Sequence, residues 1–203
     1  MKVAIVGFGK ETRALAPFDD PTWEIWTVND AWTWCPRISR LFEPHARWIY
    51  EWAPRRPEGH VQRMAMLDCP VYMIRPDERI PKSLAYPLAG VVADLGRPYL
   101  TSSIAYALGL AIHDNATEIG LWGVNMASGT EYAVQRPGCE WLLGVAEGRG
   151  IRVTLPAGCQ LLSGELYGRG GENPDGERIT PAQLDARVEL LEQFRDGAES
   201  QAM

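Results

Sequence analysis

The sequence predicts an α/β fold: a single Rossmann-like domain with a mainly parallel sheet flanked by helices, plus a C-terminal helix. Three observations carry this. Six short apolar runs have strand length, helical patterns stand between them, and the runs end abruptly in glycine or polar residues. In an open α/β sheet, polar residues just past the carboxyl ends of strands sit at the binding crevice.

The elements follow in order. Residues 3–6 form an apolar run ending in Gly7-Phe8-Gly9-Lys10-Glu11-Thr12, after which a helix can begin over 13–16. Residues 23–28 read as a second strand, stopped by Asn29-Asp30, and 38–42 as a third, stopped by Glu43-Pro44-His45. All three direct chemistry toward one edge of the sheet. Over 47–66 the pattern is mixed, and Pro54 and Pro57 divide it into two short helices or a helix and a loop. Residues 71–74 are a fourth strand. Residues 80–99, rich in proline and glycine, read as a mobile excursion with a small hairpin around Val91-Val92 that closes over the site.

Thr101-Ser102-Ser103 then stands where an N-cap belongs, before a helix over 104–113 whose Ala105, Ala107, Gly109 and Ala111 suit close packing on a sheet. Residues 118–122 are a strand leading into Gly123-Val124-Asn125-Met126. A helix follows over about 137–147, ended by Gly148 and Gly150, and 151–155 supply the last strand. The domain is expected to span 1–163, followed by a glycine-rich linker over 164–178 and a C-terminal helix and tail over 179–203. Leu184, Val188, Leu191 and Phe194 form an apolar stripe on that helix, read as a docking or dimer surface.

Composition narrows the function. No apolar stretch approaches the roughly 20 residues that cross a bilayer, and Met1-Lys2-Val3 leads straight into a strand pattern, so a cytoplasmic protein is expected. Cys35, Cys69, Cys139 and Cys159 are scattered without metal or redox spacing and read as reduced, packed thiols. A net charge of −6 argues against a surface built to coat nucleic acid. One segment runs against that balance: Arg47, Arg55, Arg56 and Arg63, with His45 and His60, interleave with Trp48, Tyr50 and Trp52. It suits a phosphate chain with stacked bases, or equally the solvated arginine face of an amphipathic helix. Eight tryptophans, four of them between Trp23 and Trp34, are many for a core alone, and some are expected to line a ligand cleft.

The candidate binding groups are Gly7, Phe8, Gly9, Lys10, Asn29, Thr101, Ser102, Ser103 and Asn125. The glycine turn is neither a full dinucleotide fingerprint nor a P-loop, yet it offers backbone N–H groups at a helix start, as the Thr101 segment does. Two such ends aimed at one crevice can hold phosphate without metal. Asn29 can reach a ribose or base through its amide, or close an Asx-turn.

The run Thr101-Ser102-Ser103-Ile104-Ala105-Tyr106-Ala107-Leu108-Gly109-Leu110-Ala111, then Glu118-Ile119-Gly120-Leu121-Trp122-Gly123-Val124-Asn125-Met126, resembles the "T-S-G, small apolar helix, E-I-x-L-x-G-x-D" block of bacterial lipooligosaccharide sialyltransferases. It is also similar to that of motility accessory factor glycosyltransferases and archaeal 6-hydroxymethylpterin diphosphokinase-like proteins. Val6 to Glu11 occupies the place of the family's G-x-G-P-S turn, Val28-Asn29-Asp30 its C-N element and Tyr132-Ala133 its Y-A element. The resemblance implies a cytidine- or similar nucleotide-linked donor between the glycine turn and the Thr101 segment, a tyrosine at Tyr132 that assists the departing phosphate, and transfer without metal. The chain departs from the pattern at Phe8, which replaces an asparagine, at Lys10-Glu11, which replaces Pro-Ser, and at Asn125, which replaces an aspartate. The family's late histidine base has no counterpart, since no histidine lies beyond His113.

The base must therefore come from elsewhere. His45 is the first candidate, because imidazole exchanges protons near neutrality, and Glu43 and Glu131 are alternatives. Tyr132, Gln135 and Arg136 are placed for the leaving phosphate or the acceptor, unless Glu131 and Arg136 pair with each other. His60 and His113 read as surface or helix-end residues. The expectation is a metal-independent group transferase, a small glycosyltransferase with a nucleotide-sugar co-substrate, a hydroxyl acceptor and no cofactor. The alternatives are an Mg²⁺-dependent pyrophosphokinase-like transferase on a hydroxymethyl group, with Asp30 and Glu43 facing the phosphates, and a non-catalytic nucleotide-binding protein. A modifier of hydroxymethylated bases in phage-type DNA is a minor reading, with nucleic acid held through the Arg47–Arg63 segment.

Overall fold

The first strand sets the layering. In β1 (Lys2–Val6), Val3 and Ile5 face one side of the sheet and Ala4 and Val6 the other, and all four are fully buried. A strand apolar on both faces belongs in the middle of a sheet covered on both sides. The computed structural model describes residues 1–52, 59–126, 131–163 and 188. Over them, β2 (Trp23–Val28), β3 (Arg40–Glu43), β4 (Val71–Met73), β5 (Ser83–Ala85), β6 (Glu118–Trp122) and β7 (Arg152–Thr154) join β1 in one parallel sheet, in the order β5-β4-β3-β2-β1-β6-β7. The chain builds outward from β1 to β5, then returns to lay β6 on the other flank of β1. The order therefore reverses between β1 and β6, the place where such sheets open a crevice.

Helices α4 (Leu88–Leu95), α5 (Ser103–His113) and α6 (Arg136–Gly148) cover one face, with α5 in the middle against β1, β2 and β3. Leu108 and Ile112 of α5 share a core with Trp26 and Phe42 of the strands. On the other face, Tyr50 of α2 (Arg47–Trp52) and Val61 and Met64 of α3 (His60–Met64) bury Leu41, Val71 and Met73. Helix α1 (Lys10–Arg13) is a single turn that starts directly after Gly9, earlier than the helix expected to begin over 13–16. Among the described residues no helix is long and apolar enough to cross a membrane.

The expected excursion over 80–99 is ordered differently. It contains β5, a parallel edge strand, and α4 in place of a hairpin at Val91-Val92. Val91 and Leu95, four apart, are buried on one helical face, and Gly96 at φ +76° closes the helix. Tryptophans also settle elsewhere than expected: Trp23 and Trp26 are core residues, and Trp26 Nε1 donates to Glu24 Oε2 at 2.8 Å. The chain divides after Ser163. Of the second unit only Val188 is described, helical and exposed, so the linker over 164–178 and the stripe of Leu184, Leu191 and Phe194 lie outside the described residues.

Two local features give predictions. Ser102 caps α5, its Oγ accepting from the Ala105 N–H at 3.1 Å. Ser102→Ala is expected to cost about 1 kcal/mol, seen as a lower urea midpoint. The second feature ties α2 to the β4–β5 connection. Arg79 donates to Asp77 and to both oxygens of Glu51, and the Tyr50 hydroxyl donates to Asp77 Oδ2 at 2.9 Å. Hydrogen bonds from Arg79, first among several causes, hold Asp77 well below the usual carboxylate range and Glu51 down to about 2. Folded values below unfolded ones stabilise the chain fully above about pH 4.5, and that contribution is lost as pH falls through the folded values. Urea midpoints should therefore drop between pH 5 and pH 2.5, and Arg79→Met should flatten that drop.

Candidate active site

At the reversal point two loops touch through glycine. Gly7 donates its N–H to Trp122 O at 2.8 Å, Gly9 to Gly123 O at 2.8 Å, and Gly123 to Thr12 Oγ1 at 2.9 Å. A Cβ on Gly7 would stand 2.6 Å from Gly123 O, and one on Gly123, at φ +64°, would stand 2.6 Å from Gly7 O. Only residues without Cβ permit this approach. The Gly7 and Gly9 amides are thus spent on carbonyls, and the turn serves first to lock β1 to the loop after β6. Phe8, exposed, joins Gly7 and Gly9 on the cleft wall, whereas Lys10 is exposed on α1 and does not line the cleft.

The cleft has a volume of about 900 Å³, within the range of small-molecule sites. Its second wall is the N-terminus of α5. Thr101 Oγ1 donates to Gln135 O at 3.0 Å, Ser102 caps the helix, and Ser103 Oγ donates to Asn29 Oδ1 at 3.1 Å. Asn29 sits at φ +52°, a left-handed conformation that asparagine tolerates. With Oδ1 taken by Ser103, Nδ2 is the donor it offers to a ligand. The 11-residue α5 brings the positive end of its dipole and the first-turn N–H groups of Ser103 and Ile104 to the same wall. This helix end, more than the glycine turn, keeps first-turn N–H groups directed at the cleft, as an anion would require.

The third wall comes from the ends of β2 and β3. His45 and Asp30 line the cleft, and His45 Nδ1 lies 2.5 Å from Oε1 of Glu43, whose side chain is fully buried. Behind them is His60, 3% exposed, with Nε2 3.3 Å from Asp30 Oδ1 and 3.8 Å from Glu43 Oε2. Of the two places expected for His60, surface or helix end, it takes the helix end, as the first residue of α3, and is buried there. Its signal lay in the pattern His60, Val61 and Met64, which share the buried face of α3. His113 is at a helix end as expected, beside Asp94 at 3.5 Å.

Tyr132, Gln135 and Asn125 also line the cleft, and Asn125 Oδ1 accepts from the Gln160 N–H at 3.0 Å. Arg136 points its guanidinium to Glu140, at 2.8 Å, and to the Gln160 carbonyl, and does not line the cleft. The Glu131 side chain lies outside the described residues. In the arginine segment, Arg47 pairs with Glu51, Tyr50 is buried, Trp48 and Trp52 are exposed, and Arg55 and Arg56 lie outside the described residues. No tryptophan is among the described cleft residues. The thiols are free, and burial pushes Cys35, Cys69 and Cys139 up to about 11, so they stay protonated and poorly nucleophilic.

No family model matches the chain, and no curated protein sequence matches it. Its fold is similar to that of sialyltransferase CstII. The Campylobacter jejuni enzyme in complex with a substrate analogue, CMP-3FNeuAc, shares 14% identity at a TM-score of 0.51, over 78% of this chain and 80% of that one. CstII in complex with trisaccharide acceptor and CMP shares 14% at 0.52, over 79% and 82%. At this identity the likeness is one of fold.

Proposed function

We propose that the chain is a nucleotide-sugar-dependent glycosyltransferase, with a cytidine nucleotide as the carrier. One observation carries the reading: an imidazole, His45, oriented by a fully buried carboxylate, shares a cleft with an N-terminal helix end suited to phosphate. The fold likeness to an enzyme solved with CMP supports the choice of carrier. An acceptor hydroxyl attacks the anomeric carbon of the donor and gives its proton to His45 Nε2, while Nδ1–H is held by Glu43. The glycosidic bond to phosphate breaks, and the charge left on the phosphate is met by the Ser103 and Ile104 N–H groups, Asn29 and the Tyr132 hydroxyl. Those groups act on the reacting phosphate without requiring a metal there.

The pyrophosphokinase alternative has less support, since Glu43 is fully buried behind the cleft wall instead of facing it. Incubating the chain with a panel of nucleotide sugars should give release of CMP from a CMP-linked donor, and Tyr132→Phe should slow it about 10-fold, a share of the charge stabilisation typical of one donor. Release from none of the donors would remove the reading.

A further inference from the structure

The geometry points to a divalent transition-metal site formed by Asp30, Glu43 and His60 beneath the cleft wall. One carboxylate oxygen each of Asp30 and Glu43 and a ring nitrogen of His60 lie within 4.8 Å of one another. Ligands about 2.1 Å from one ion stand about 3.0–3.4 Å apart at octahedral and tetrahedral angles. The separation of 3.3 Å from His60 Nε2 to Asp30 Oδ1 falls within that range, and that of 3.8 Å to Glu43 Oε2 lies just above it.

The second, independent observation is His60 itself. It is 3% exposed, and among the described residues neither ring nitrogen has a hydrogen-bond partner. Burying such a polar group without a partner costs stability, so a buried imidazole turned on two carboxylates calls for something to satisfy it. A cation between them does this through Nε2. One imidazole with two carboxylates suits Zn²⁺, Mn²⁺ or Co²⁺, whereas Mg²⁺ and Ca²⁺ take oxygen throughout. Glu43 can serve the ion through Oε2 while Oε1 keeps His45 in place, so the ion braces the wall that carries the imidazole. Transfer without metal is what the family resemblance implies, and that resemblance gives His60 no role. This inference goes beyond the transferase reading and is tested without donor or acceptor.

The test is a Co²⁺ titration of the full chain after chelator dialysis, followed by optical absorption. One equivalent should bind, with d–d bands, without a thiolate charge-transfer band, displaced by Zn²⁺ and unaffected by equal Mg²⁺. Asp30→Asn and His60→Gln should each weaken binding at least 10-fold, a typical loss for a perturbed site. If His60→Gln does not fold by circular dichroism, Asp30→Asn and the wild-type spectrum decide the question. Absence of saturable binding would show a plain His60–Asp30 ion pair. A thiolate band, displacement by Mg²⁺, or unchanged affinity in Asp30→Asn would equally overturn the assignment.

Discussion

His45→Ala is expected to lower donor turnover by about 10²–10⁴-fold, the usual contribution of a positioned general base, while nucleotide affinity changes by no more than a few-fold. The split follows from the geometry. His45 comes from the end of β3, whereas the α5 helix end that would hold the nucleotide phosphate forms another wall of the cleft. Its orientation depends on Glu43, 2.5 Å away and fully buried, so Glu43→Gln should also slow turnover, with the variant's folding checked separately. Parallel losses of affinity and turnover in His45→Ala would place the imidazole in binding instead of proton transfer.

Gly123→Ala is the corresponding test of the scaffold. The residue sits at φ +64°, and a methyl there meets Gly7 O at 2.6 Å and Arg13 Cβ at 2.9 Å, both held by backbone. Left-handed strain and overpacking together should cost about 2–4 kcal/mol, measured by urea denaturation. The same change at Gly144 is the control. A Cβ there has no atom within 4 Å, so Gly144→Ala in α6 should be neutral or stabilising by up to about 1 kcal/mol. Equal costs at the two positions would mean that the contact between the β1 and β6 loops does not organise the crevice.

How much of this was legible in the sequence depended on the range of the forces involved. β1, β2 and β6 were readable because Val6-Gly7, Val28-Asn29 and Trp122-Gly123 put an abrupt polarity change at each strand end. The cap at Ser102 was readable because it is local. β5 was not, since three edge residues flanked by Pro81 and Pro87, two of them exposed, leave no apolar pattern. α4 was hidden because only Val91 and Leu95 are buried on it.

Within the site, the convergence of Asn29, Ser103, Asn125 and His45 on one cleft follows from strand order, which the polar strand ends suggested. Two points needed three dimensions. The Gly7 and Gly9 amides are consumed by the neighbouring loop, a partnership across more than 100 residues. His60 is buried because α3 docks on β3 and β4 through Val61 and Met64, and nothing beside it in an arginine-rich segment marked it as different.

Backbone amide shifts of the labelled chain during CMP titration test the central claim most directly. Occupation of the cleft predicts saturable shifts at Ser103, Ile104, Gly123 and Asn125, with the Asn29 side-chain amide moving alongside them. Shifts confined to residues outside this group, or none with CMP or any other nucleotide, would contradict it.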